Sequence, residues 1–204
     1  MTGDATAAAW IDAHKRLQAI AKPGDIFVFG DSGHGSTYET ILTMAGGTAF
    51  CFYERQIKEV EQHKLMTGWP EGVLVIYVYD CCHSAGLKSR ELQPHIIRAA
   101  PIWLNKGMES QPQFDPKSGD IKAAIIELAA CKQTETAADG PQNGAFTGSI
   151  LDIWQQSQEQ DVTLACQPWF DGVSQEMATN FPSQHPVLTT LGAGSNYLNT
   201  PISD

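Results

Sequence analysis

The sequence predicts an α/β fold, in which helices cover a mostly parallel sheet. Two segments in which a helix precedes a short apolar strand indicate this class, and a third apolar strand follows them. Parallel strands need a long crossover between them, and alternating helices and strands supply it. The chain has 204 residues, which is the length of one ordinary domain, and it contains no internal repeat.

The first unit is an amphipathic helix followed by a strand. Apolar residues recur at helical spacing from Trp10 to Ile20, Asp4 is the candidate N-cap, and Pro23 marks the end of the helix. Residues 26–29 are apolar, favour a strand and end at a glycine. This pattern predicts a strand that is buried on both faces of the sheet.

The second unit repeats this order. Residues 54–65 are compatible with a helix, and after a break rich in glycine, residues 73–79 form the most apolar run of the chain. Residues 121–128 predict a third core strand, and residues 145–158 predict a helix. From Pro168 onward, the many prolines, glycines and asparagines predict a loop-rich wrap around the core.

Composition and charge exclude several classes of protein and of partner. Hydrophobic residues make up 42% and charged residues 18% of the chain, which is typical of a globular protein. With 13 basic and 23 acidic residues the formal net charge is −10, so the surface repels nucleic acids and anionic membranes. The longest apolar run is too short to span a membrane, and the first ten residues lack the basic start of a secretory signal. We therefore expect a cytoplasmic protein.

Chemically reactive side chains follow two of the predicted strands. His34 comes after the first strand, between Gly33 and Gly35, and Asp80 and Cys82 come at the end of the second strand. Ligands of open α/β sheets bind where the carboxyl ends of the strands emerge. We therefore expect these groups to lie together at one edge of the sheet.

A cysteine and a histidine at this edge suit the cleavage of a peptide bond. The imidazole of His34 favours the thiolate of Cys82 and protonates the departing amine. The glycines beside the histidine leave backbone N–H groups open to an oxyanion, and we assign this role to Gly35. Asp80 lies two residues before Cys82 on the same face of an extended strand, where its carboxylate suits a Lys or Arg side chain of a substrate.

Each of these features also has a purely structural interpretation. Reduced cysteines are most often buried packing residues, and the glycines beside His34 suit a tight turn. Asp80 is also suited to cap, through its carboxylate, the N-terminus of the next helix along the chain. The five cysteines lack CxxC spacing, and the consecutive side chains of Cys81, Cys82 and His83 diverge, so neither a disulfide framework nor a zinc site is predicted.

A different enzyme class is indicated by residues 27–32, which resemble the nucleophile block of the GDS(L) or SGNH ester hydrolases. Ser32 would then be the nucleophile, and His185 would match that family's histidine near the C-terminus. Pro182 occupies the place of the family's aspartate, and the only Gly-x-Asn sequence follows the histidine instead of preceding it. The match is therefore limited to one short block.

Five blocks, in the right order over most of the chain, resemble the caspase-like cysteine peptidases of clan CD, in particular the metacaspases and orthocaspases. IFVFGDSGHG at residues 26–35 is similar to the family's strand and histidine motif, and VLVIYVYDCCHSAG at residues 73–86 is similar to its strand and cysteine motif. The remaining blocks are FCFYERQ at 50–56, ACKQTETAADG at 130–140 together with NGAFT at 143–147, and QHP at 184–186.

The resemblance implies a caspase-like three-layer α/β/α sandwich with a mostly parallel central sheet that lacks the family's first strand and helix. It implies that His34 and Cys82 form the catalytic dyad. It also implies that Asp80 and Ser32 line the S1 pocket, which in metacaspases accepts Arg or Lys. Residues 1–204 are then one domain, with a large-subunit-like part at 1–93, a linker loop at 94–120 and a small-subunit-like part at 121–204.

We therefore predict an endopeptidase that hydrolyses peptide or protein substrates after Arg or Lys, and that cleaves itself in the basic linker. Residues 40–49, where many metacaspases carry an acidic calcium-binding stretch, contain no carboxylate, so we expect no cofactor and activity without calcium. The alternative is a binding or regulatory module that keeps the fold but has lost turnover together with the first strand and helix.

Overall fold

The computed structural model describes residues 5–39, 46–81, 120–132, 134–139 and 143–202. Its helices are α1 (Ala7–Gln18), α2 (Glu59–Thr67), α3 (Ala145–Glu159) and α4 (Cys166–Asn180). Its strands are β1 (Ile26–Ser32), β2 (His34–Glu39), β3 (Gly46–Cys51), β4 (Gln56–Lys58), β5 (Leu74–Asp80), β6 (Ala124–Ala129) and β7 (Val187–Gly192). A one-turn 3-10 helix, Gly194–Tyr197, follows β7.

The main sheet has the strand order β1-β5-β6-β7. β1, β5 and β6 are parallel, and β7 pairs antiparallel with β6. A separate small sheet has the order β2-β3-β4 and is antiparallel. The prediction of a mostly parallel central sheet is therefore confirmed.

Helices cover both faces of the main sheet. On one face, Trp10 and Leu17 of α1 pack against a cluster that contains Met66 of α2 and Tyr77 of β5. On the other face, Phe146 of α3 and residues of α4 pack against the sheet. All six residues of β6 are buried, because this strand lies inside the sheet and has helices on both sides. The result is the three-layer α/β/α sandwich that the sequence predicts.

Both predicted helices of the first half exist, with different starting points. The hydroxyl of Thr6 caps α1 by accepting the N–H of Ala9 at 3.0 Å, whereas Asp4, the predicted cap, lies outside the described residues. α2 begins at Glu59, because residues 56–58 form β4 and pair with β3. The small sheet was not predicted from the sequence, because β2 is largely polar, β3 begins with two glycines and β4 has only three residues.

β1 does not have the predicted burial. The prediction that it is buried on both faces is wrong, because Ile26 is 46% and Val28 is 64% exposed. Phe29, on the opposite face, is buried against α1 and the sheet. Within the described part of the chain β1 is an edge strand, and its Ile26 face is not covered by α3 or α4. An apolar run therefore predicts a strand correctly, but it does not predict whether helices cover one face or both faces of that strand.

The C-terminal part of the chain is more regular than predicted. Instead of a loop-rich wrap after Pro168, it forms α4, β7 and the 3-10 helix. Pro168 is the third residue of α4, where a backbone N–H has no partner within the helix, so a proline costs little there. The predicted linker at 94–120 lies outside the described residues except for Asp120, and so do residues 40–45 of the stretch without carboxylates.

A buried polar chain joins α1 to the main sheet. The Nδ1 atom of His14 lies 2.8 Å from the carbonyl oxygen of Trp10, and Nε2 lies 3.0 Å from the hydroxyl of Tyr77. Because Nδ1 must donate to a carbonyl, Nε2 of the neutral ring accepts the hydroxyl proton. The indole N–H of Trp69 donates to the same hydroxyl oxygen at 3.2 Å. Burial lowers the pKa of His14, so the folded protein holds the neutral form.

Leucine in place of His14 is expected to lower the free energy of unfolding by about 2–3 kcal/mol near neutral pH, because the buried Tyr77 hydroxyl loses its acceptor. The neutral ring is favoured in the folded state, so the advantage of wild type is complete above the ordinary pKa of 6.5 and is lost as the pH falls below it. Urea unfolding of both proteins at about pH 7.5 and about pH 5.5 measures this difference. A difference that does not shrink at the lower pH contradicts the assignment.

Candidate active site

The carboxyl ends of β1 and β5 meet at one edge of the main sheet. Their register places Ser32 opposite Asp80 and Asp31 opposite Tyr79. The N–H of Gly33 donates to the carbonyl oxygen of Asp80 at 3.2 Å, so the turn after β1 is tied to the end of β5. The backbone of the histidine motif therefore lies beside the backbone that leads into the cysteine motif.

His34 begins β2 directly after this turn, and its side chain is exposed. It stands opposite Cys51 in the antiparallel ladder of the small sheet. Cys82, the predicted nucleophile, lies outside the described residues, which stop at Cys81 in this part of the chain. The distance between the imidazole of His34 and the sulfur of Cys82 therefore stays a prediction.

One of the two glycines beside His34 does not fit the oxyanion role. The N–H of Gly33 is used in the hydrogen bond to Asp80, so the expectation that both N–H groups are available is wrong for this residue. Gly35 lies in β2 opposite Phe50. Its contribution to an oxyanion site stays a prediction.

Asp80 is the most constrained of the predicted site residues. It is 4% exposed, and its Oδ2 atom accepts two hydrogen bonds from Thr147, one from the backbone N–H at 2.9 Å and one from the hydroxyl at 2.6 Å. Thr147 is the third residue of α3, so the carboxylate caps this helix from the neighbouring sheet. The other oxygen, Oδ1, is buried and has no hydrogen-bond partner in the described part of the structure.

A second carboxylate, that of Asp31, lies near the end of β1 at the same edge of the sheet. Burial raises the pKa of Asp31 to about 6, and the negative charge of Asp80 adds to the increase. Asp31 precedes Ser32 by one residue, so it projects to the opposite face of the sheet from Ser32 and Asp80. Neither carboxylate forms an ion pair within the described ranges. This edge therefore carries a negative potential that favours a cationic ligand.

The described thiols are poor candidates for the nucleophile. Cys51, Cys81, Cys131 and Cys166 form no disulfide. Burial raises the pKa of Cys51, and it raises the pKa of Cys166 to about 11. Because the thiolate is the reactive form, these two groups are weak nucleophiles at neutral pH. Cys81 is fully buried on the tyrosine side of the sheet.

The QHP block holds the loop that leads toward α3. The side chain of Gln184 is buried, donates to the carbonyl oxygen of Ala130 at 3.0 Å and accepts the N–H of Ala138 at 2.8 Å. Next to it, Nδ1 of His185 lies 2.8 Å from the carboxylate of Glu135. Blocks that are far apart in the sequence thus stabilise one another at the same end of the sheet.

The ester hydrolase alternative is not supported by this geometry. Ser32 ends β1, whereas His185 precedes β7, and these two strands lie at opposite sides of the described sheet. Three strand spacings separate them, about 14 Å in total. Ser32 and His185 therefore do not form a nucleophile and base pair.

Two further features are absent from residues 5–39, 46–81, 120–132, 134–139 and 143–202. Within those ranges, no group of three or more His, Cys, Asp or Glu side chains is arranged to hold a metal ion. In the same part of the chain, no helix is both long and apolar enough to cross a membrane.

Thr147 and Gly144 are site residues that sequence analysis did not single out. Both belong to the NGAFT block, but no local signal shows that Thr147 binds a carboxylate 67 residues earlier in the chain. The sequence indicated only that Asp80 suits a helix cap, and the expected helix was the next one along the chain and not α3. The contact itself depends on the packing of α3 against β5.

Comparison with known proteins gives a consistent result. The profile of the peptidase C14 family, described as the caspase domain, matches residues 1–193. Metacaspase-1 of Schizosaccharomyces pombe is 24% identical over 228 residues, which cover 88% of this chain and 52% of the relative. Metacaspase-2 of Arabidopsis thaliana is 25% identical over 157 residues, which cover 70% of this chain and 36% of the relative. The chain thus spans about half or less of the length of these curated relatives.

A solved structure shows the same fold. The crystal structure of protein GSU0716 from Geobacter sulfurreducens matches with a TM-score of 0.76 and covers 99% of this chain and 80% of its own. The two sequences are 22% identical, so this likeness concerns the fold alone.

Proposed function

Because the chain belongs to the caspase-domain family of cysteine peptidases, we propose that it is an endopeptidase that cleaves after Arg or Lys. Cys82 is the nucleophile, and His34 is the general acid and base. Asp80 and Ser32 line the pocket for the basic side chain, and the N–H of Gly35 contributes to the oxyanion site. The substrates are peptides or proteins, and no calcium or other cofactor is needed.

The reaction proceeds in two steps. The thiolate of Cys82 attacks the carbonyl carbon after the basic residue, and the C–N bond breaks as His34 gives a proton to the leaving amine. Water then attacks the resulting thioester while His34 accepts a proton, which releases the new carboxyl group and restores the thiolate and the protonated imidazole. The described cysteines are free thiols, as is usual in a reducing compartment, which fits the proposed cytoplasmic location.

The observation that carries the proposal is the state of Asp80. A buried carboxylate whose Oδ1 has no donor among the described residues is costly unless a ligand supplies one. The guanidinium of arginine or the ammonium of lysine supplies both a donor and an opposite charge. Asp80 ends β5 and precedes the proposed nucleophile by two residues in the sequence.

A peptidyl chloromethylketone tests the proposal, because this reagent alkylates a catalytic cysteine only after its side chain has occupied the pocket. In the presence of a chelator, a reagent ending in Arg is expected to label Cys82, and a matched reagent ending in Asp is not. Peptide mass spectrometry identifies the labelled residue and reports any cleavage within residues 94–120 in the same run. The Cys82→Ala protein is the control.

Two outcomes contradict the proposal. If the Arg reagent labels Cys51 instead of Cys82, the assignment of Cys82 as the nucleophile is wrong. Absence of labelling in folded protein, together with no hydrolysis of Arg or Lys peptides, would support the binding or regulatory module instead.

A further inference from the structure

Building on the proposed function, we propose that Thr147 is a positioning residue for Asp80 and that Gly144 provides the space this arrangement needs. The start of α3 would then set how strongly the pocket prefers a basic side chain. The proposal concerns how the pocket acid is held, and it assigns no part in the chemical step to either residue.

Both donors of Thr147 bind the same oxygen of Asp80. The N–H at 2.9 Å and the hydroxyl at 2.6 Å converge on Oδ2, and Oδ1 remains without a partner in the described ranges. Hydrogen bonds to a charged acceptor are stronger than those to a neutral one, and two of them fix the torsion angle of the carboxylate. Thr147 thus determines which carboxylate oxygen of Asp80 accepts hydrogen bonds from the protein and which one remains to bind a substrate cation.

Gly144 is packed directly against this carboxylate. A Cβ atom at this position would overlap Oδ2 of Asp80 and would lie 2.6 Å from its Cγ atom and 2.9 Å from Oδ1. These distances are far below van der Waals contact, so a side chain at position 144 must displace the carboxylate or the start of α3. The backbone of Gly144 has a φ angle of −54°, which other residues also adopt, so the need for glycine comes from Asp80 and not from the backbone.

The arrangement joins the two parts of the chain. Asp80 belongs to the large-subunit-like part, whereas Thr147 and Gly144 belong to the small-subunit-like part. The isolated Asp139–Gly144 bridge and the loop held by Gln184 place the start of α3 against β5. The specificity pocket is therefore complete only while both parts are packed together.

Two alkylating reagents separate positioning from a merely structural role. The chloromethylketone ending in Arg must occupy the pocket, whereas iodoacetamide reacts with Cys82 without a basic side chain. Thr147→Val is expected to slow the first reaction about tenfold, the effect of losing one hydrogen bond to a charged group. The rate with iodoacetamide should stay within about twofold of wild type, and KM for Arg peptides should rise more than kcat falls.

Conservative and matched variants complete the test. Thr147→Ser keeps the hydroxyl and should restore the wild-type rate with the chloromethylketone. Thr67→Val removes a hydroxyl at the end of α2 that donates to the carbonyl oxygen of Lys64 at 2.9 Å, and it should change neither rate. Gly144→Ala keeps both donors of Thr147 but displaces the carboxylate, so it should also slow the chloromethylketone and spare iodoacetamide. It therefore tests the inference even if Thr147→Val does not fold.

Wild type must first react with the Arg reagent and hydrolyse Arg peptides. The inference is then overturned if Thr147→Val and Gly144→Ala carry out both reactions at the wild-type rate. It is also overturned if both reagents slow equally in these variants, since this indicates a general loss of structure. If wild type itself does not react with the Arg reagent, the proposed function has failed.

Discussion

Replacing His34 with alanine is expected to lower kcat for Arg and Lys peptides by about 10²- to 10⁴-fold, the usual contribution of a general acid and base. The physical reason is that the leaving amine must be protonated as the C–N bond breaks, and a water molecule is a weaker and less well placed acid. The fold should be retained, because the His34 side chain is exposed and the residue is the first of β2, an outer strand of the small sheet. Loss of activity is therefore expected without loss of stability.

The measurement is kcat with a fluorogenic Arg peptide, together with the thermal midpoint of unfolding for each protein. Tyr53→Ala is a suitable control, because this side chain is 80% exposed and lies between β3 and β4 of the same small sheet. It should keep both the wild-type kcat and the wild-type midpoint. If His34→Ala keeps more than about half of the wild-type kcat, His34 is not the acid.

The sequence was informative about the layers of the fold because apolar runs identify buried strands directly. β5 and β6 are buried along almost their whole length, and both were predicted within three residues of their observed starts. β1 was found for the same reason, but its exposed Val28 shows that an apolar residue does not report what covers it. The burial of a strand depends on which strands and helices lie next to it, and this arrangement is a property of the whole fold.

The parts that were missed depend on contacts between distant residues. The small sheet forms because His34 and Cys51 pair across a ladder, and neither strand has the apolar alternation that marks a strand by itself. α4 was hidden by Pro168, whose position in the first turn makes it harmless. In both cases a local rule was applied to residues whose conformation tertiary packing determines.

The site was predictable to the level of strand ends and no further. Parallel neighbours bring their carboxyl ends to one edge, and this rule correctly placed the end of β1 beside the end of β5. The functional and the capping interpretations of Asp80 had been treated as alternatives. The structure shows that Oδ2 caps α3 through Thr147 while Oδ1 has no partner among the described residues, so one carboxylate is suited to both roles.

Replacing Asp80 with asparagine separates these two roles, and it is expected to lower kcat/KM for Arg and Lys peptides about a hundredfold or more. Loss of one partner of a desolvated charge pair costs about 2–5 kcal/mol, and each 1.36 kcal/mol is tenfold in rate. Asparagine has nearly the same volume, so the contact with Gly144 stays possible. Its carbonyl oxygen still accepts from Thr147, and the cap of α3 is kept.

Kinetics on three matched peptides, ending in Arg, Lys and Gln, measure the effect. The Gln peptide should lose little in kcat/KM, because a neutral side chain never gained the charge interaction. Asp12→Asn is the control, because it changes the net charge equally at an exposed position of α1, 64% exposed in its side chain, and should leave all three peptides unaffected. If Asp80→Asn lowers kcat/KM equally for all three peptides, Asp80 supports the structure of the site and does not bind the basic side chain.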